Sequence, residues 1–238
     1  MGWFPRVAYH CPMPAHSELL TATLPAEPLA VAAHWLAEAW RDRRQPNPNA
    51  MVLATTTNDG HPSARVVLCK DIAPQPGYVV FYTNYRSRKG WELAANPRAA
   101  AVMHWDHAHR QVRIEGPVVM APAADSDAYF ASRAWQSRLG AWASAQSEPI
   151  GTRQLLLAAV AAAARRFGAP DPARETASDV TIPRPPHWGG YRLWADTVEL
   201  WVEGEGRIHD RARWSRTLTA RPDGQFEAGS WTATRLQP

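Results

Sequence analysis

The chain has 238 residues and lacks several features, each of which would point to a class of protein. Only two cysteines occur, Cys11 and Cys69, far apart and in no CxxC pattern. Neither a disulfide framework nor a cysteine zinc site is indicated, and a reducing compartment fits. No stretch approaches the roughly 18 consecutive apolar residues of a membrane span. The opening MGWFPRVAYHCPMP lacks the charged and then apolar regions of a secretory signal, and Arg6 stands where a myristoylation signal wants Ser or Thr. The expectation is a cytoplasmic protein with no membrane partner. There is no polybasic run either. The net charge of +4 favours anionic ligands in general, but the basic residues form ligand-sized groups rather than an extended stripe, so nucleic acid is not expected as a partner. GxGxxG, GxxxxGK[ST] and GxSxG are missing from any strand-to-helix context, which disfavours Rossmann, P-loop and serine-hydrolase readings.

What is present is a hydrophobic fraction of 45% with twelve tryptophans, enough for a sizeable core. Residues 1–26 carry scattered prolines and no sustained period, and they read as an irregular arm ahead of one domain spanning 27–238. From Glu27 to Arg44, Leu29, Ala33, Leu36, Ala37 and Trp40 recur at helical spacing until QPNPN stops them. Strand-like runs follow at 50–57, 63–72 and 77–84, the first two joined by the hairpin signal Asn58-Asp59-Gly60. A short helix capped by Ser87 ends before Pro97, and two more strands cover 99–105 and 110–120. A helix is expected over 126–139. An Ala-rich one starts near Ser147-Glu148-Pro149, bears Arg165 and Arg166 in its last turn and closes at Gly168. After a polar, Pro-rich loop at 169–187, the runs GGYRLWA, TVELWVEG, GRIHDRARWSR and SWTATRL return to strand character. Strands in hairpin order with helices inserted between them make the chain mainly β with helices (α+β): an antiparallel barrel decorated by helices.

Several groups carry possible chemistry. With Ser87 as N-cap, Arg88 and Lys89 occupy a first helical turn, where the macrodipole disfavours cations; a bound phosphate would resolve that conflict, and a solvated basic corner is the plainer reading. Tyr129, Arg133 and Ser137 lie at i, i+4 and i+8, one stripe of a continuous helix that could chelate a second phosphate or simply face water. Arg65 and Lys70 are five apart, on opposite faces of a regular strand, so a shared role requires a bulge or separate ligand atoms. In EGEGRIHDR, Arg207, His209 and Arg211 alternate, which on a strand puts all three on one face and demands an anionic or electron-rich neighbour. His104, His107 and His109 beside Asp106 match neither a zinc helix nor a finger, so no metal is expected there.

Taken in order, PNAMVLAT, ARVVLCK, VFYTNYRSRKGWEL, NPRAA, RQVRIEG, YFASRAWQSRLGAWASAQS, WGGYRL, ELWVEGEGRIHDR and the closing RLQP resemble the pyridoxamine (pyridoxine) 5′-phosphate oxidase family from about Pro28 to Pro238. The resemblance implies an FMN-binding split β-barrel, usually a homodimer with each flavin at the subunit interface. It places FMN contacts on Arg65, Lys70, Tyr82, Thr83, Arg88, Lys89, Gln111, Gln146, Ser147, Trp201 and Arg211, with Arg88 and Lys89 at the phosphate. Lys70, Tyr129, Arg133 and Ser137 would hold the substrate phosphate. Arg207 and His209 would flank the pyridine ring as the catalytic pair, neither assigned as an obligatory general base. The implied reaction oxidises a phosphorylated B6 vitamer with O₂ and releases peroxide. Two alternatives stand beside it: an oxidase of the same fold acting on another ring, as in the phenazine-biosynthesis relatives, and a flavin-binding protein without turnover. Upstream of Pro28 nothing matches the family, and the segments 169–187 and 217–230 look longer than expected.

Overall fold

A computed structural model describes residues 20–172 and 179–238. Cys11, most of the expected arm and part of the 169–187 loop lie outside the described residues. Helix α1 (Pro28–Asp42) starts with a proline at its first position and buries Leu29, Ala32, Trp35 and Ala39. Ten strands join one antiparallel sheet that curls into a half-barrel. One arm runs β12 (Thr232–Leu236), β9 (Asp210–Ser215), β8 (Thr197–Val202), β6 (Arg110–Met120), β5 (Arg98–Trp105), β1 (Ala50–Thr56) and β2 (Pro62–Leu68). The other continues from β6 through β7 (Trp188–Trp194) and β4 (Tyr78–Asn84) to β3 (Asp71–Ala73). Strand β6 serves both arms: Arg110–Glu115 pair with β8, whereas Val118–Met120 pair with β7. The alternating burial of β1 and β5 turns Met51, Leu53, Ala101 and Met103 into a core with Phe81, Val112, Ile114, Leu200 and Trp214. Each of the Val, Leu, Ile, Phe and Met side chains among these contributes roughly 1.5–3 kcal/mol of burial. Among the described residues no helix is long and apolar enough to cross a membrane.

The structure departs from the expected elements in several places. The run 63–72 is two strands, because the chain turns at Cys69–Lys70, where Cys69 N–H bonds back to Asn49 O and Lys70 N–H to Val80 O. The helix expected over 126–139 is two helices, α3 (Ala123–Ser132) and α4 (Trp135–Ala143), broken at Arg133 (φ −75°, ψ 149°). No glycine or proline marks this break. Phe130 on one side of it and Trp135 and Leu139 on the other enter one apolar cluster with Ala163, Ala164 and Trp188, and tertiary packing overrides local helix preference. The Ala-rich helix, α5 (Arg153–Phe167), starts later than expected, behind the Thr152 cap, because Ser147 has φ 77° and its hydroxyl is engaged by Arg88 N–H. Its other end is as expected, with Gly168 left-handed at the cap. Finally, 217–230 contains an added hairpin, β10 (Leu218–Ala220) with β11 (Phe226–Ala228).

Candidate functional site

A cleft of about 840 Å³ opens between β2, the end of β4, the start of helix α2 (Arg88–Ala95), the α3–α4 junction and the segment after α4. It falls within the roughly 300–1,000 Å³ of small-molecule sites. Among the described residues five basic side chains line it, Arg65, Lys70, Arg88, Lys89 and Arg133, and no carboxylate does. Such a wall fits an anionic ligand. Arg65 and Lys70 share it despite their odd spacing, because the turn at Cys69–Lys70 follows the end of β2.

The corner at α2 forms as its sequence requires. The Ser87 hydroxyl accepts from Gly90 N–H at 3.4 Å, which fixes Arg88 and Lys89 in the first turn. Lys89 is buried, and its Nζ reaches Gln146 Oε1 at 2.8 Å, Ser87 Oγ at 3.0 Å and Thr83 Oγ1 at 3.2 Å. Burial, with the Arg65 charge second, lowers its pKa from 10.5 to about 8, against the pull of Glu92. Behind the wall sits Glu92, almost wholly buried. It takes hydrogen bonds from Thr55 at 2.5 Å and Ser63 at 2.7 Å, and it pairs with Arg88 Nε at 2.9 Å and Arg65 Nη2 at 3.1 Å. Burial alone would raise this carboxyl; the bonds from Thr55, Ser63, Arg88 and Arg65 outweigh it and hold the pKa at about 2. Glu92 thereby holds two guanidinium groups in place while staying out of the cleft.

The opposite wall is aromatic. Tyr82 stacks on Tyr129 with ring centroids 4.0 Å apart and on Trp188 at 5.6 Å. Gly190 makes this possible, since a Cβ there would lie 2.8 Å from the Tyr82 ring, and Gly189 likewise leaves room for the Tyr85 hydroxyl, 2.1 Å from where its Cβ would be. Lys70 Nζ lies 5.5 Å from the Tyr129 ring centre, and Arg133 Cζ lies 4.6 Å from that of Trp188. Arg133 Nη1 is out of contact with water and has no hydrogen-bond partner among the described residues. Tyr129, Arg133 and Ser137 all line the cleft, although the helix break removes the continuous stripe expected of them.

Gln111, Trp201 and Arg211 face one another in register across β6, β8 and β9. Arg211 is fixed by buried Glu199, at 2.8 and 3.1 Å, and by Gln237 O at 3.1 Å. The alternation expected through 207–211 is not realised. Gly206 and Arg207 are left-handed (φ 61° and 66°), Glu205–Arg207 forms a 3₁₀ turn and β9 starts only at Asp210. His209 instead packs on Trp201 at 4.7 Å and accepts at Nδ1 from Gly204 N–H at 3.3 Å. None of Gln111, Trp201, Arg207, His209 and Arg211 lines the cleft described above. Among the other histidines, His109 Nδ1 pairs with Glu203 at 2.5 Å, and the described residues hold no group of three or more potential metal ligands.

Two family models match: pyridoxamine 5′-phosphate oxidase over residues 36–166, and the pyridoxine 5′-phosphate oxidase C-terminal dimerisation region over 188–238. The chain belongs to the pyridoxamine 5′-phosphate oxidase family. A pyridoxine/pyridoxamine 5′-phosphate oxidase of Paracoccus denitrificans is 45% identical, over 89% of this chain and 95% of that protein. One of Gluconobacter oxydans is 42% identical, over 93% and 100%. Among solved structures, PhzG from Burkholderia lata, in complex with tetrahydrophenazine-1-carboxylic acid, is 31% identical with a TM-score of 0.75, covering 90% of this chain and 94% of that one. The last of these places the half-barrel among the family's split barrels.

Set against the residues that family resemblance singles out, the cleft gathers Arg65, Lys70, Tyr82, Thr83, Arg88, Lys89, Tyr129, Arg133, Ser137, Gln146 and Ser147. Glu92 and Trp188 were not anticipated. An acidic residue four after Arg88 in a cation-rich helix start was the available signal for the first. A large aromatic before two glycines, which leave room for other rings, was the signal for the second.

Proposed function

We propose that the protein is an FMN-dependent oxidase that converts pyridoxamine or pyridoxine 5′-phosphate to pyridoxal 5′-phosphate, acting in the cytoplasm as a homodimer. The observation that carries this reading is one cleft, without a carboxylate among its described lining residues, whose anion-binding groups fall into two contact groups: Arg65, Arg88 and Lys89 around Glu92, and Lys70, Tyr129 and Arg133 against ring faces, with Ser137 also lining it. A flavin mononucleotide and a phosphorylated vitamer together present two phosphates. The donor set fits: Lys89 and the two guanidiniums held by Glu92 suit the cofactor phosphate, and Arg133, a cleft-lining guanidinium held on ring faces, suits the substrate's.

FMN, when bound, would supply the redox chemistry, a two-electron oxidation at C4′ of the substrate with O₂ as final acceptor and hydrogen peroxide as its product, and Arg65, Arg88 and Lys89 would hold its phosphate. The chain's own residues bind and orient. Thr83, Gln146 and Ser147 place polar groups around Lys89 and the α2 terminus. Tyr129, Arg133, Ser137 and Lys70 clamp the substrate phosphate, which makes the reaction effectively unimolecular. Gln111, Trp201 and Arg211, with Arg207 and His209, complete the site from the second subunit. With Nδ1 engaged by Gly204 N–H, His209 carries its proton on Nε2 and acts on the ring as a hydrogen-bond donor.

The likeness to the PhzG structure favours a second reading, oxidation of an unphosphorylated ring. That reading leaves the Arg133 group without a phosphate to hold, although the carboxylate of such a ring is a weaker, singly charged substitute. The deciding experiment is anaerobic addition of pyridoxamine 5′-phosphate to flavin-loaded protein. Bleaching of the flavin, followed by peroxide release on admitting oxygen, is the expected result; a loaded protein that stays yellow overturns the proposal.

A further inference from the structure

Arg133 combines features that pull against each other. Its backbone is extended at the α3–α4 break, so neither helix sets its direction. It is half-buried, it pairs with no carboxylate, and Nη1 has no hydrogen-bond partner among the described residues. Burial alone pushes its pKa down. A guanidinium in such a place needs something to hold it, and the structure offers ring faces: Trp188 at 4.6 Å and Phe130 at 5.5 Å. Trp188 is itself rigid. It is 7% exposed, meets Phe130 edge-on at 5.0 Å and lies parallel to Tyr82 within 10°, and its carbonyl accepts from Arg184 Nη1 at 2.7 Å.

We infer that Trp188 is a positioning residue for phosphate capture, holding Arg133 by its flat face so that the N–H edges stay free for the substrate. The inference rests on the reading that Arg133 binds the substrate phosphate. The chemistry of the partner matters. A carboxylate, as Glu92 is for Arg65 and Arg88, occupies N–H groups and competes with phosphate for them. A π face attracts the cation through the ring quadrupole and uses none of the donors. A mobile ligand therefore meets an arginine already aimed, with its hydrogen bonds unspent. The same ring stacks on Tyr82, which stacks on Tyr129, so one aromatic column links the substrate-phosphate group to the cofactor wall.

The test is a double-mutant cycle on flavin-loaded enzyme, with kcat and KM for pyridoxamine 5′-phosphate measured in Trp188→Leu, Trp188→Phe, Arg133→Ala and the two combinations. Trp188→Leu is expected to raise KM about tenfold with kcat within about twofold, and Trp188→Phe, which keeps a weaker ring face, about threefold. In the Arg133→Ala background neither Trp188 change should raise KM further. If the Trp188 factors persist there undiminished, or if KM is unmoved in both single variants, the proposal is overturned. Should the leucine variant fail to fold, the phenylalanine arm of the cycle decides alone. An unchanged KM in Arg133→Ala by itself would instead refute the phosphate assignment, and the inference would fall with it.

Discussion

Two buried carboxylates, Glu92 behind the cleft and Glu199 in the sheet formed by β6, β8 and β9, do similar work with different results. Each holds two arginines: Glu92 holds Arg65 and Arg88, and Glu199 holds Arg113 and Arg211. Around Glu92 the guanidiniums line a concave wall together with three further cations. Around Glu199, Arg211 is also tied to Gln237 O and stands beside Trp201 and Gln111 on a row outside that cleft. The same device thus builds a pocket in one place and a ridge in the other. A pocket can select a ligand alone, whereas a ridge acts only when something is brought against it. A second subunit supplies that something in the proposed homodimer.

The strongest way to break the comparison is to remove the cleft carboxylate. Glu92→Leu leaves Arg65 facing Lys89 without a counter-charge and should cost about 3 kcal/mol of stability, read as a lower urea midpoint. Glu92 also marks the acid limb of stability. Its pKa is depressed in the folded state, so its contribution is full above its ordinary 4.5 and lost as pH falls toward about 2. Glu92→Gln should lack that limb. Next in size, Arg133→Ala should raise KM about thirtyfold and lower kcat less, consistent with the loss of a charge-assisted bond.

Mixing pocket and ridge defects sharpens the comparison further. With sites shared between subunits as proposed, heterodimers of Arg133→Ala with Arg207→Ala would carry both defects in one site and none in the other. They should regain about half of the wild-type activity per dimer although both parent homodimers are impaired. Parents whose mixture stays impaired would place both residues in a site within one subunit. The smallest effect is on pH. Burial lowers the Lys89 pKa to about 8; in the proposed site the protonated form attracts the flavin phosphate, whose binding should raise that pKa. Flavin affinity should therefore be full below about pH 8 and decline above it, and Lys89→Met should flatten the profile at a lower affinity.

Most strands were legible because alternating burial and turn residues agree: β1 and β2 meet across Asn58-Asp59-Gly60 as the hairpin that signal predicts. The Ser87 corner was legible for the same reason, a cap that acts through local hydrogen bonds. What escaped prediction depends on contacts distant in sequence. The α3–α4 break follows from a shared apolar cluster with Trp188, and Ser147 resists helix because Arg88 N–H binds it, 59 positions away. The turn at Gly206–Arg207 needs two successive left-handed residues, the second of which is not glycine, and alternation alone gives no sign of that. Joint placement of Arg65 and Lys70 was ambiguous in the sequence for a related reason, since only the bend at Cys69 decides it.

Strand β2 has one further consequence. Among the described residues it pairs only with β1, all of Ser63–Leu68 line the cleft, and Val66 is 64% exposed. Its open side is a row of unpaired backbone groups beside apolar side chains, the kind of edge on which chains aggregate. A ligand seated there would act as a guard against misassembly as well as a reactant. Chains synthesised without it would be the ones at risk of sticking to one another.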